Sequence, residues 1–452
     1  MICPYRTLHS WRRPGRLTTM RFRPSNRKSP FRMSSQILSH PAALATLAAS
    51  AAPSFSVVPK PETWDAGVET RQVSDLSVAV VHDWCPSFRG GERVLSALCR
   101  IFPKNDVYTL FDFLEDSVKD EFFPNKTFYT SPANSLPFIK KYYRSLFFAC
   151  PFLIEQFDVT GYDAVISSSA AFARGVITHP DQPHLCYVHS PARYAWDEQF
   201  SYLNEAKLGF GPKGLLYRMM LHHLRTWDTR TANGPDMMLA NSEFVRRRIR
   251  QVYGRDARVV HPPVDLNESV YGREKDDYYV TASFLAPYKR TDLVVEAFRT
   301  MPHRRLVVVG EGQQSKKLRA MSAPNITYTG YLPRQDYLET VARAKALIFA
   351  GCEDFGIALA EAQASGTPVI AFARGGAVDI VRPLGKDRQP TGILFREQTT
   401  GDIQAAVERF DDRRHEIRAE NCRLNAQRFS VQRFDTEIAA AFADVLEQRA
   451  SV

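Results

Sequence analysis

From Leu76 to Phe395, short apolar runs rich in β-branched residues alternate with helix-length segments, and the alternation occurs in two successive series. Such a pattern specifies parallel sheets, because parallel neighbours need a crossover connection and a helix supplies it. The first series reads as strands at Leu76–His82, Asp106–Leu110, Ala164–Ser168, His184–Val188, Met237–Ala240 and Val259–His261, with the clearest helices at Gly91–Ile101 and Leu215–Ala232. The second reads as strands at Tyr278–Ser283, Arg305–Val309, Ile326–Thr329, Ala346–Ala350, Pro368–Ala371 and Gly392–Phe395. Two doubly wound, Rossmann-like sheets of about five to seven strands use most of the chain. The Pro-rich polar stretch from His261 to Glu268 has linker composition and separates a first domain, 75–264, from a second, 265–428. An amphipathic segment, Phe434–Gln448, has no later strand to lead into, so residues 429–452 are expected to return across the junction to the first domain.

Composition matters mainly for what it excludes. The formal net charge of +10 would suggest a nucleic-acid partner, but ten basic and no acidic residues lie in 1–60, leaving 49 of each sign elsewhere. Residues 1–74 therefore read as a basic tail, and a disordered arm, a transit-like segment and a mis-assigned start, with Met20 or Met33 as the initiator, all fit it. No run of about eighteen apolar residues is present, so a membrane-spanning helix is not expected. The seven cysteines are scattered and include no C-x-x-C pair, which argues against a disulfide framework or zinc site and for a reducing, cytoplasmic setting.

Ligands of doubly wound sheets bind beyond the carboxyl ends of the strands, and four loops there carry unusual residues. After the first strand, Gly90-Gly91 opens a helix; this is either a tight turn or a backbone that lets a phosphate or sugar hydroxyl come close. Tyr187-Val-His-Ser-Pro-Ala-Arg-Tyr-Ala-Trp-Asp197 offers His189, an arginine and aromatic faces suited to a sugar, although each alone is commonly a packing residue. Lys289 and Arg290 lie at a helix N-terminus, where cations are disfavoured unless an anion sits between them, so they read as a diphosphate clamp or a solvated surface pair. Cys352-Glu-Asp-Phe-Gly-Ile-Ala-Leu-Ala-Glu361 places Glu353 in a strand-to-helix turn and Glu361 inside the helix, with free N–H groups around Gly356 and Ile357.

These stretches resemble the retaining nucleotide-sugar glycosyltransferases of family 4, which have the GT-B fold of two facing Rossmann-like domains. The likeness spans about residues 76–450 and rests on HDWCPSFRGGERVL, YVHSPARYAWD, ANSEFVRRRIRQVYG, APYKRTDLVVEAF and EDFGIALAEAQASGTPVIA. It is nearest to the bacterial mannosyltransferase-like members of O-antigen and exopolysaccharide synthesis. The resemblance implies that Glu361 receives the donor's ribose hydroxyls, that Glu353 and the backbone of Phe355, Gly356 and Ile357 hold the transferred hexose, and that Lys289 contacts the diphosphate. It also implies that Gly90 and Gly91 approach donor and acceptor and that His189 lies near the donor sugar. Many members carry an arginine where this chain has Phe284, and Arg290 is a candidate replacement.

The implied reaction is transfer of a hexose, mannose from GDP-mannose by subgroup likeness, to a glycan or lipid-linked acceptor with retention of configuration. The donor is a substrate and no bound cofactor is implied. No Asp-x-Asp or His-rich cluster appears in the second half, so metal independence is expected, with Lys289, Arg290 and helix amides carrying the leaving-group charge. Leu215–Arg225 fits either a core helix or an interfacial one that meets the inner face of a membrane. A nucleotide-sugar epimerase and an inactive sugar-nucleotide-binding protein are the alternative readings.

Overall fold

The computed structural model describes residues 75–451, and the basic tail with its alternative starts lies outside the described residues. Seven parallel strands form the first sheet in the order β3-β2-β1-β4-β5-β6-β7. They are β1 Val78–His82, β2 Asn105–Thr109, β3 Phe128–Thr130, β4 Ala164–Ser169, β5 His184–Val188, β6 Met237–Ala240 and β7 Arg258–Val259. The second sheet has six, in the order β10-β9-β8-β11-β12-β13. Its strands are β8 Tyr279–Ala282, β9 Leu306–Val309, β10 Ile326–Gly330, β11 Leu347–Phe349, β12 Val369–Phe372 and β13 Gly392–Phe395. The architecture is GT-B.

Central strands covered by helices on both faces must be apolar along their whole length. β1, β4 and β5 are accordingly buried at every position. The polar residues of β1 and β4 gather at the carboxyl ends, as His82 and as Ser167, Ser168 and Ser169, while β5 opens on the buried His184, 2.8 Å from the Ser167 hydroxyl. The strand order reverses beside β1, between β2 and β4, and beside β8, between β9 and β11. A crevice opens at each such switch point, because successive crossovers there leave to opposite sides of the sheet.

Seven helices matter for the site: α1 Gly90–Ile101, α2 Pro212–Thr231, α3 Glu243–Tyr253, α4 Thr291–Arg299, α5 Arg334–Arg343, α6 Ile357–Ala364 and α7 Val431–Ala450. The polypeptide crosses between the sheets twice, and the crossings are joined: the Val264 N–H donates to the Phe429 carbonyl at 2.7 Å. After the second crossing the Ser430 hydroxyl accepts from the Arg433 N–H and caps α7. Phe434, Ile438, Ala441, Phe442 and Val445 recur at helical spacing and are buried in the first half's core with Leu95, Leu98 and Phe102. Phe442 meets Phe102 edge-on with ring centroids 5.0 Å apart, and Arg100 pairs with Asp435 at 2.8 Å.

Phe442→Ala removes a fully buried ring from this seam and is expected to cost about 3 kcal/mol. Urea unfolding reads this as a lower midpoint at unchanged slope. An unchanged midpoint would mean that α7 does not hold the first half together.

Candidate functional site

On the first-half side the site begins at the end of β1. The His82 Nδ1 lies 3.0 Å from the Ser168 hydroxyl, which lies 2.8 Å from the His189 Nε2, so one serine links two imidazoles from neighbouring loops. Burial pulls both histidines below their ordinary range, His189 to about 3 with His82 adding to the effect, so both are neutral near pH 7. Asp83, the next residue, is buried and accepts four backbone N–H groups, from Ala170, Ala171, Phe172 and Ala173, at 2.6–2.8 Å. A carboxylate so engaged fixes the turn after β4 and is not free for chemistry.

On the second-half side, the loops after β8 and β11 meet because these strands are neighbours at the switch point. The Lys289 amino group donates to the Glu353 carboxylate. Burial pulls Lys289 down to about 8, against the raising influence of Asp354. Arg290 takes a different course. Its backbone is left-handed (φ 53°) at the start of α4, and its guanidinium lies 3.5 Å from Asp292 of that helix. The two side chains thus diverge: Lys289 meets Glu353, while Arg290 lies toward the carboxylate of its own helix.

Between them runs the turn from Cys352 to Gly356. Gly356 has φ 98°, a conformation that favours glycine, and α6 starts immediately after it. Phe355 turns its ring inward against His261 and Phe429, both at 5.4 Å, so only its backbone faces the cleft. The turn seats on Gly375 and Gly376. A Cβ on either would come within 2.2 Å of a carbonyl oxygen, Glu353 for Gly375 and Phe355 for Gly376, and the Gly376 N–H donates to the Glu353 carbonyl at 2.9 Å. In the sequence this Gly-Gly pair carries one signal, its position just after β12.

The first half closes directly onto this turn. A Cβ on Gly90 would lie 2.9 Å from the Ile357 Cδ1, so α1 and α6 bring their N-termini together across the cleft. Arg248 of α3 donates to Asp354 at 3.0 Å and also pairs with Asp197, and the Ser242 hydroxyl donates to the Asp354 carbonyl. Arg193 lies 3.7 Å from Asp354. Glu361 is nearly enclosed: Arg334 approaches at 2.8 Å, the Tyr337 hydroxyl donates at 2.9 Å and Arg93 reaches from α1 at 3.4 Å. Of these partners Arg193 is the one the sequence marks as a sugar-facing candidate; Arg93, Asp197, Ser242 and Arg248 lie in the stretches that carry the family resemblance without a role of their own, and Arg334 and Tyr337 lie outside them. Beside the turn, Trp196, Asp197, Arg225, Phe244, Arg248 and Arg374 line a cavity of about 650 Å³. No cluster of three or more metal-ligating side chains occurs among the described residues.

Comparison with known proteins follows the same division. Residues 88–268 match the family described as Glycosyltransferase Family 4, and residues 266–429 match Glycosyl transferases group 1. The two matches meet at the crossing segment. A stretch of 211 residues is 29% identical to the GDP-mannose-dependent monoacylated alpha-(1-6)-phosphatidylinositol monomannoside mannosyltransferase of Corynebacterium glutamicum, covering 39% of this chain and 53% of that protein. Another of 198 residues is 31% identical to the D-inositol 3-phosphate glycosyltransferase of Mycobacterium tuberculosis, covering 38% and 40%. The chain thus spans about half the length, or less, of the curated relatives it matches. Among solved structures it is similar to sucrose-phosphate synthase from Thermosynechococcus elongatus (TM-score 0.64, 17% identity, covering 84% of this chain and all of that one). It is also similar to Anabaena HepE in complex with UDP and glucose (TM-score 0.61, 16% identity, 81% and 99%). At such identities these likenesses establish the fold.

Gly376→Ala forces a methyl group onto the Phe355 carbonyl, which must displace the turn because a backbone atom cannot rotate away. Faster exchange is expected at the residue 376 amide, which donates to the Glu353 carbonyl. Gly90→Ala meets only a side-chain tip and should leave that exchange unchanged; equal exchange in both variants would contradict the seating described.

Proposed function

We propose that the chain is a glycosyltransferase that moves a hexose from a nucleoside diphosphate sugar to an acceptor hydroxyl. The observation that carries this reading is the convergence, at one point of the cleft, of the Lys289–Glu353 pair and the N-termini of α1 and α6. Helix N-termini and a buried lysine together suit a diphosphate, and an adjacent carboxylate suits sugar hydroxyls. The two family matches agree with it.

On this reading the bond from the anomeric carbon to the phosphate oxygen breaks, and negative charge grows on the departing nucleoside diphosphate. Lys289 and the amides opening α1 and α6 stabilise that charge in a site from which closure excludes water. The acceptor oxygen bonds to the anomeric carbon on the face the phosphate leaves, and its proton passes to the departing phosphate oxygen, which retains configuration. Glu353 orients the hexose and holds Lys289 in place. His189, kept neutral, serves as a hydrogen-bonding group for the donor sugar and not as an acid. Glu361 orders the ribose end through Arg334 and Tyr337. The chemistry needs no metal. GDP-mannose is the proposed donor, in keeping with the name of the Corynebacterium relative. The cavity beside the turn gives a saccharide acceptor aromatic faces at Trp196 and Phe244.

Lys289→Ala is expected to cut turnover about a hundredfold or more, as loss of a charge-stabilising donor does, and Glu353→Gln to cut turnover while the protein stays folded. Product analysis with GDP-mannose and mannosyl acceptors checks both; full activity in both variants would overturn the site. The lysine also sets a pH dependence. With its pKa drawn down to about 8 it is charged below that pH and neutral above, so kcat/KM for the donor should fall as pH rises through about 8. A profile flat from pH 7 to 9.5 would contradict this.

Acceptor access motivates a further part of the proposal, peripheral contact with a membrane. No helix of the described residues is long and apolar enough to cross one. The start of α2 nevertheless exposes Leu215, Leu216 and Met219, while Leu221 and Leu224 further along are buried. Phe138, Phe200 and Phe210 in the same half are also exposed. Apolar tips beside Lys140, Lys141 and Lys213 suit an anionic interface. Leu215→Glu with Met219→Glu should abolish sedimentation with phosphatidylglycerol vesicles, and wild-type protein that does not sediment would remove membrane contact from the proposal.

A further inference from the structure

Arg89 precedes α1 and is exposed. Its backbone is fixed, because its N–H donates to Glu92 at 2.9 Å in the first turn of the helix. The side chain pairs with no carboxylate among the described residues. It crosses the cleft and stands over the ring of Phe284, with the guanidinium carbon 5.0 Å from the ring centroid. Phe284 follows β8 in the loop that leads to Lys289 and is itself partly exposed. The guanidinium is close enough to Lys289 that its charge helps push the lysine's pKa down. Two cations, one from each half, therefore converge beside the N-termini of α1 and α6. Lys289 pairs with Glu353, whereas the Arg89 guanidinium forms no ion pair among the described residues and only feels the Glu92 carboxylate at a distance. An aromatic face can orient a guanidinium but cannot neutralise it.

We propose that Arg89 binds the donor's diphosphate, and that Phe284 serves as the platform that aims it. This rests on the glycosyltransferase reading and deepens it by assigning the second phosphate-binding cation to the first half of the chain. Arg290 lies 3.5 Å from Asp292 of its own helix. Because Arg89 and Phe284 belong to different sheets, the cation reaches the phosphates only when the cleft is closed. Full diphosphate affinity then depends on closure in a way that an arginine at position 284 would not impose.

Calorimetric titration with GDP, UDP and GMP tests this in four proteins: wild type, Arg89→Ala, Phe284→Arg and the double variant. Arg89→Ala should weaken binding of the preferred diphosphate by about tenfold or more, the loss of a charge-assisted hydrogen bond, and affect GMP much less. The double variant should recover most of the loss, since the arginine is then supplied from the second half. Unfolding midpoints should be unchanged in Arg89→Ala, whose side chain is exposed. Wild-type binding that survives Arg89→Ala, equal losses for GDP and GMP, or no recovery in the double variant would overturn the assignment alone. Wild-type protein that binds neither diphosphate would overturn the donor reading itself.

Discussion

The seating of a single turn governs the arrangement. Glu353 to Gly356 can lie where it does only because Gly375 and Gly376 present no side chains to it, and because the Phe355 ring is anchored between His261 and Phe429. Those two anchors belong to the segments on which the chain crosses between the sheets, so the turn is fixed to the hinge as well as to its own strand. From that position Glu353 reaches Lys289, Asp354 reaches Arg248 and Arg193 of the other half, and α6 starts against Gly90. Displacement of the turn by an ångström would disturb each of these contacts, since carboxylate and guanidinium partners need close alignment.

At the end of β1 the first half presents two histidines held uncharged by burial and an aspartate engaged by four amides. Around them it contributes arginines, and the second half contributes Lys289 and carboxylates, most of them paired. Asp354 and Glu361 take arginines from across the cleft, so the ion pairs that close the molecule surround the same turn that would hold the donor. Arg248 and Glu361 are buried, so losing either partner would leave a costly unpaired charge.

Much of the fold was legible in the sequence because parallel strands buried on both faces must be continuously apolar, and Val78–His82 or His184–Val188 have no other way to be satisfied. β3 was not legible: Phe128–Thr130 is a three-residue edge strand with no fully buried position, so its pattern merges into loop. The loops after β8 and β11 were legible because topology fixes where ligands bind, and Lys289 and Glu353 follow those strands. The fate of Arg290 was not, since helix-start position says nothing of a left-handed residue that turns its side chain onto Asp292. Partners that come from distant segments were equally hidden. Arg93 and Glu361 are separated by 268 residues, and Arg89 meets Phe284 only once both sheets exist.

The central claim is that the cleft around this turn is a nucleoside diphosphate sugar site complete without a metal. Isothermal titration of the full chain with GDP-mannose, in the presence and absence of a chelator, addresses it most directly. The account predicts a single saturable site whose affinity is the same in both. Absence of binding by GDP-mannose and by UDP-sugars alike, or binding abolished by the chelator, would contradict it.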